Sequence, residues 1–359
     1  MKDIKQYILN EIANRRLSKD DGKELLLSLD KTEDRDIAII GIACEYSNCK
    51  NKYEFFENIE KGINCLRTFD PTRVDYLAPI NDNPQILKFF SGGETQMLSS
   101  SFKSGYIDNV DKFDAKFFGI PPREAEYMDP IQRKYLEVSM EALEDAGYGG
   151  EKIRNTNTGV YVGRDNTCPT FYRYLVQDDP MIYTGTWEGI LASRISYIYN
   201  LRGPAMVMDT ACSSGLVALH TAIHAIRNKE CSMAMAGGIA LGSAPQRSGA
   251  DSDDVLANVQ ATQNEVRSFD KDSSGTIFGE GVGVVVLKPL KDALRDRDHI
   301  YAVVKGSAIN NDGASNGITA PNPEAQMEVY VKAWEDAKID PATIDSVSYT
   351  HLTLPTKLE

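Results

Sequence analysis

A short apolar run, Ala205-Met-Val-Met208, leads directly into a cysteine set among small side chains, Asp209-Thr-Ala-Cys-Ser-Ser-Gly215. The chain then passes at once into a helical pattern, Leu216-Val-Ala-Leu-His-Thr-Ala-Ile-His-Ala-Ile226. A strand over 206–211 that feeds a helix over 213–227 leaves space only for a tight turn, and places Cys212 at the helix start. Free backbone N–H groups and the positive end of the helix dipole favour a thiolate there. Small neighbours keep the sulfur reachable by an acyl group, which is what a nucleophile for thioester chemistry requires. The competing reading is a buried structural cysteine, the common fate of a free thiol.

The rest of the pattern is alternating. Short apolar runs at 37–43, 159–163, 233–240, 282–287 and 301–309 read as strands, and 53–61, 124–146, 190–199 and 324–337 read as helices. Strands alternating with helices predict an α/β layered domain. Ahead of it, Ile4, Ile8, Leu9 and Ile12 recur at helical spacing, Ser18 suits an N-cap, and Leu25, Leu26 and Leu29 form a second stripe. Residues 1–33 are therefore expected to be a helical lead-in, either packed on the main domain or serving as a docking segment.

Composition excludes several functions. The 359 residues are 42% hydrophobic, enough for a large core, and the net charge of −13 disfavours nucleic acid and anionic membranes as partners. There is no apolar run of about 18 residues to span a bilayer, and the polar start Met1-Lys-Asp-Ile-Lys-Gln lacks a signal core, so a cytoplasmic location is expected. The six cysteines (44, 49, 65, 168, 212 and 231) are irregularly spaced and read as reduced thiols, with no metal site. His220 and His224, four apart on one helix, read as core or interface histidines, because no HExxH carboxylate accompanies them.

Asp209-Thr-Ala-Cys-Ser-Ser-Gly215 resembles the active-site motif of the β-ketoacyl synthase domains of modular type I polyketide synthases. The resemblance runs from about Asp36 to Tyr349. It includes Phe113-Asp-Ala-Lys-Phe-Phe-Gly-Ile-Pro-Pro-Arg-Glu-Ala-Glu-Tyr-Met-Asp-Pro-Ile-Gln-Arg133, Glu141-Ala-Leu-Glu-Asp-Ala-Gly147, Arg267-Ser-Phe-Asp-Lys-Asp272, Gly279-Glu-Gly-Val-Gly283 and Asn310-Asn-Asp-Gly313, in family order. It implies an α/β thiolase-like layered fold (αβαβα) with the second half incomplete, and a helix after Cys212 buried nearly all round. It also implies a ketosynthase domain over 34–349 that transfers acyl groups and carries out decarboxylative Claisen condensation. No cofactor binds directly; substrates arrive on the 4'-phosphopantetheine of an acyl carrier protein. The other expected partners are further polyketide synthase domains and a second copy of the chain, paired as in the family through a strand beside the nucleophile strand, with the apolar segment Cys231 to Leu241 expected to supply buried edge contacts. A non-elongating domain that only transacylates is the alternative, as is a ketosynthase of fatty-acid synthesis, which the block at Pro122-Arg-Glu-Ala-Glu126 and the N-terminal helices fit less well.

The resemblance assigns Cys212 as acyl acceptor, with its own N–H in the oxyanion hole. Asp209 is expected to brace nearby backbone N–H groups, Glu280 to pair with a buried cation or backbone amides, Gly237-Gly238 to allow a close approach, and 310–313 to form a turn. The family also uses a histidine in a His-Gly-Thr-Gly-Thr motif, a lysine, and a second histidine in an Asn-x-Gly-His motif. Here Thr350-His-Leu-Thr-Leu-Pro-Thr-Lys-Leu-Glu359 stands instead. His351 falls two positions early, and neither glycine is present. Residues 350–359 read as a non-native tail, with a natural degenerate site as the alternative. The 359-residue chain is expected to be inactive in condensation.

Overall fold

The computed structural model describes residues 2–23, 35–68, 103–164, 180–242, 261, 263–317 and 320–345. The strands are β1 (Ile37–Tyr46), β2 (Arg67–Thr68), β3 (Lys103–Ser104), β4 (Thr158–Arg164), β5 (Ala205–Met208), β6 (Met233–Ala240), β7 (Gly281–Pro289) and β8 (Ala302–Val304). The helices are α1 (Lys2–Ala13), α2 (Lys52–Glu60), α3 (Pro122–Tyr127), α4 (Pro130–Asp145), α5 (Met181–Thr186), α6 (Glu188–Tyr199), α7 (Ser214–Arg227), α8 (Leu290–Asp296) and α9 (Pro323–Ala337).

Six strands form one mixed sheet in the order β5-β4-β6-β7-β1-β8. β4 pairs in parallel with β5 and β6, whereas the β6–β7, β7–β1 and β1–β8 pairs are antiparallel. The sheet separates two apolar clusters. Met233, Met235 and Ile239 of β6 face one cluster with Tyr135, Leu136 and Leu143 of α4 and Leu191 and Ile195 of α6. Ala234 and Ala236, alternating with them, face the other with Ala218, Ala222, Ile223 and Ile226 of α7. Alternate side chains leave opposite faces of a strand, so β6 carries long residues toward the α4/α6 layer and short ones toward α7, which can therefore lie close to the sheet.

The structure corrects the predicted single helix over 124–146. It is two helices, α3 and α4, broken at Met128 and Asp129. Pro130 has no N–H to continue a helix and disfavours the helical region for the residue before it. The Asp129 carboxylate instead caps α4 by accepting the Ile131 N–H at 2.8 Å. The predicted strand over 301–309 is also shorter, ending at Val304. At the N-terminus α1 is followed by a second helical stretch that starts at residue 19, where the Ser18 hydroxyl accepts the Asp21 N–H at 3.0 Å. Leu25, Leu26 and Leu29 lie outside the described residues.

The sheet-facing side of α7 is buried, but Leu216 is 72% exposed. This corrects the expectation of a helix buried nearly all round. Among the described residues only one sheet packs on this helix, so its far side stays open.

Candidate active site

β5 ends at Met208, earlier than the apolar pattern suggests, and α7 starts at Ser214 with Ser213 as its N-cap. Cys212 thus sits just before the cap rather than inside the first turn. The intervening turn is held locally: the Asp209 carboxylate accepts the Ala211 N–H at 3.0 Å, and the Ser214 hydroxyl accepts the Thr210 N–H at 2.8 Å and donates to the Ala211 carbonyl at 2.6 Å. Ala211 takes a left-handed φ of 54°, a conformation that costs a side-chain-bearing residue roughly 1–2 kcal/mol. That reversal projects the next residue outward. The expected bracing role of Asp209 is the one observed.

Neither Ser213 nor any other side chain caps α7. The Ser213 hydroxyl turns back instead to the Thr210 carbonyl at 2.9 Å. The N–H groups of Ser213 and Ser214 are taken up within the turn, by the Thr210 carbonyl at 3.4 Å and the Ala211 carbonyl at 3.0 Å, so what α7 turns toward the elbow is the positive end of its dipole. Cys212 is exposed, whereas Cys44, Cys49 and Cys231 are buried and Cys65 is half-buried. Burial pushes the Cys44 thiol up to about 11 and raises those of Cys49 and Cys231. Cys168 lies outside the described residues.

Two glycines seat the elbow on the sheet, and a third packs β6 against β7. A Cβ on Gly163, near the end of β4, would run into the backbone of Ser214 and Gly215. A Cβ on Gly238 of β6 would lie 3.3 Å from the Gly215 Cα. On the other side of β6, Gly237 leaves no room for a side chain beside the Gly283 carbonyl of β7. The Gly237-Gly238 pair is the close approach that the sequence suggests, and it puts the start of α7 over the carboxyl ends of the parallel strands.

Glu280 pairs with backbone amides, one of its two expected partners. Its buried carboxylate accepts the N–H of Ile107 at 2.7 Å and of Gly242 at 3.0 Å. Asn310-Asn-Asp-Gly313 is a turn in which the Asn311 side chain accepts the Gly313 N–H at 2.8 Å, and Gly313 has φ 65°. His220 Nδ1 is 2.9 Å from the Ser307 hydroxyl, and the His220 and His224 rings lie 4.3 Å apart. Burial lowers the pKa of both imidazoles; the neighbouring His224 adds to this for His220, and Arg227 does so for His224. Nearby, Asp336 of α9 accepts from Arg227 at 2.7 Å, from Arg35 at 2.5 Å and from the Ser307 N–H at 3.0 Å, clamping α7 to both flanking segments.

Sequence reasoning did not find one feature near the elbow. Arg164, beside Gly163 but pointing to the other face, is buried and pairs with Glu188 at the start of α6. Buried Asp129 also feels its charge. No spacing rule joins positions 129, 164 and 188. His351 lies outside the described residues, so the structure does not place it relative to Cys212. Two surface clefts, of about 620 Å³ beside Lys134 and Glu137 and about 940 Å³ between Phe118 and Tyr197, include neither Cys212 nor its turn.

The family described as "Beta-ketoacyl synthase, N-terminal domain" matches residues 34–293, and "Beta-ketoacyl synthase, C-terminal domain" matches 301–352. Among similar proteins, polyketide synthase PksM of Bacillus subtilis (strain 168) is 36% identical over 320 residues, covering 89% of this chain and 7% of that protein. Polyketide synthase PksL of the same organism is 37% identical over 326 residues, covering 90% of this chain and 7% of its own length. The ketosynthase from module 6 of the bacillaene synthase of Bacillus subtilis 168 superposes with a TM-score of 0.71 at 35% identity, over 86% of this chain and 49% of that one. The chain thus spans about half the length of this solved ketosynthase and a small part of the curated relatives. The α/β architecture is that of the thiolase-like ketosynthases, and the chain belongs to the β-ketoacyl synthase family, in the branch that forms the ketosynthase domains of modular polyketide synthases.

Proposed function

We propose that Cys212 accepts an acyl group from a carrier-bound thioester, the first half of ketosynthase chemistry. The observation that carries this reading is its exposure at an uncapped helix start, while the other described thiols are wholly or partly buried. The Cys212 thiolate attacks the thioester carbonyl and forms a new S–C bond. The tetrahedral oxyanion is held by the Cys212 N–H and the positive end of the α7 dipole and collapses, and the carrier's pantetheine thiolate leaves and takes up the proton that Cys212 gave away. In condensation a malonyl-type thioester then loses CO2. The resulting enolate carbon attacks the acyl carbonyl, and the Cys212 thiolate is expelled. The partners of this reading are an acyl carrier protein, the other domains of a polyketide synthase and a second copy of the chain, at a cytoplasmic site.

The second reading, transacylation without condensation, is favoured by the segment 350–359. His351 there is followed by Leu352 rather than by the glycine of the family's histidine loop. Removing one oxyanion donor commonly costs about 10²–10³ in rate. The test is incubation with an acyl pantetheine thioester, adduct mapping by mass spectrometry, and measurement of CO2 release from a malonyl carrier protein. The expected result is one acyl group on Cys212, none on Cys212→Ala, and no CO2 above background from the 359-residue polypeptide. An adduct at another residue overturns the assignment of Cys212. Turnover of malonyl overturns the second reading.

A further inference from the structure

We propose that Glu280 is a positioning residue that fixes the rim past which a pantetheine-borne thioester reaches Cys212. The inference rests on the proposed acylation of Cys212. It starts from three chain segments that share no helix or strand. The Glu280 carboxylate accepts the Ile107 N–H with Oε2 and the Gly242 N–H with Oε1, and the Glu280 N–H donates to the Gly105 carbonyl at 2.6 Å. Around this knot the Ser104 hydroxyl donates to the Phe278 carbonyl, and Gly105 pairs with Gly279. One side chain therefore ties 104–107, 278–281 and the exit of β6 together.

The register places the knot relative to the elbow. Ala240 of β6 pairs with Gly281 of β7, and Gly238 pairs with Gly283. Gly238 is also the residue on which Gly215 of α7 rests. Glu280 is thus three positions along the chain from the partner of the elbow's seat, about 10 Å along the strand direction. It lies at the end of the sheet where β4, β5 and β6 all terminate. Gly242, held by Glu280, is the point at which the chain leaves that end.

Each carboxylate oxygen faces an N–H donor, so the site needs two acceptors. A glutamine offers one acceptor and turns its NH2 toward the other amide, leaving a donor against a donor. An aspartate keeps both acceptors on a shorter arm. The two substitutions therefore separate acceptor number from reach while barely changing the volume of the core.

The experiment uses the whole 359-residue chain and two alkylating probes at Cys212, iodoacetamide and chloroacetyl-pantetheine. The pantetheine probe carries its chloroacetyl group on nitrogen in place of the thioester sulfur, so both probes form a thioether by displacing halide and neither can transfer its acyl group to Cys212. Intact-mass kinetics give the two rate constants, and their ratio reads the approach of the pantetheine arm rather than the reactivity of the thiol. Hydrogen exchange of Ile107 and Gly242 is followed alongside. The expected result for Glu280→Gln is a fall of about tenfold in the chloroacetyl-pantetheine to iodoacetamide ratio. Iodoacetamide alone should react within about twofold of the unsubstituted rate, and one of the two amides should lose protection. Glu280→Asp is expected to restore part of the ratio. An unchanged ratio in a folded Glu280→Gln chain overturns the proposal. So does a parallel loss of both rates together with a lower urea midpoint, which marks a purely structural role. Failure of acyl transfer to the unsubstituted chain would refute the proposed acylation, and the two alkylation rates would still decide the role of Glu280.

Discussion

Gly163 and Ser214 meet backbone to backbone: at the end of β4 no side-chain carbon fits between the strand and the start of α7. The contact sets how deep the elbow sits on the sheet. Gly163→Ala is expected to push α7 outward and lower unfolding free energy by about 1–3 kcal/mol, the usual penalty of overpacking a close contact. Gly238→Ala, whose added carbon would lie 3.3 Å from the Gly215 Cα, asks for a smaller shift and is expected to cost less. Urea denaturation of the two variants checks both the sign and the order.

Ala211 tests the turn itself. Its φ of 54° is left-handed, where a β-branched residue fits worst. Ala211→Val is expected to cost about 2 kcal/mol, whereas Ala211→Gly removes the backbone strain, adds flexibility to the unfolded chain and leaves stability within about 0.5 kcal/mol. The same denaturation series reads the difference. Equal losses for both substitutions would mean that the turn relaxes without strain.

Burial lowers the pKa of His220 and His224 from 6.5, so folding disfavours the protonated form of both. Between the folded pKa values and 6.5 the unfolded chain binds more protons. Their contribution to stability is therefore fully present above pH 6.5 and is lost as pH falls through that range. Asp336, below its ordinary 3.8 because the Arg227 and Ser307 bonds outweigh burial, acts only at lower pH. Glu137 and Glu141, raised by burial above 4.5, act with the opposite sign. The slope due to the imidazole is therefore read by difference: between about pH 7.5 and about pH 5.5 His224→Gln should lose less stability than the unsubstituted chain. Parallel curves would remove the claim.

Self-association is expected to use β5. The sequence points to residues 231–241 as an edge, but β6 lies inside the sheet between β4 and β7. β5 pairs only with β4 among the described residues, and its Met206 is 45% exposed. An open edge with an exposed apolar side chain is a surface that a second copy can continue. Sedimentation at micromolar concentration is expected to show dimer for the unsubstituted chain and monomer for Met206→Lys. A monomer in both cases would count against pairing through this edge.

Local chemistry made much of the site legible in the sequence. The strand-to-helix step at Cys212 is legible from Asp209, the small side chains and the apolar helix after them, but the apolar pattern runs the strand on to Ala211, three residues past its end at Met208. The glycine pair at 237–238 and the acidic Glu280 could be marked as special, since a glycine in a strand and a charge in an apolar block both demand a reason. The strands 159–163, 233–240 and 282–287 were readable because buried strands are short apolar runs. The break at Asp129 was missed because the apolar period continues across it, and only Pro130 carried the signal.

The sequence by itself determined the element types, the place of Cys212 in a strand–turn–helix unit and the family, because these depend on residues close together in the chain or on motif order. Only the tertiary structure decided which strand is the edge and that the Glu280 carboxylate accepts from the amides of Ile107 and Gly242. It also decided that Arg164 meets Glu188 and that Asp336 joins Arg35, Arg227 and Ser307. Those relationships bring together residues from tens to hundreds of positions apart. Sheet order and side-chain direction bring them within reach, and neither is written in local composition.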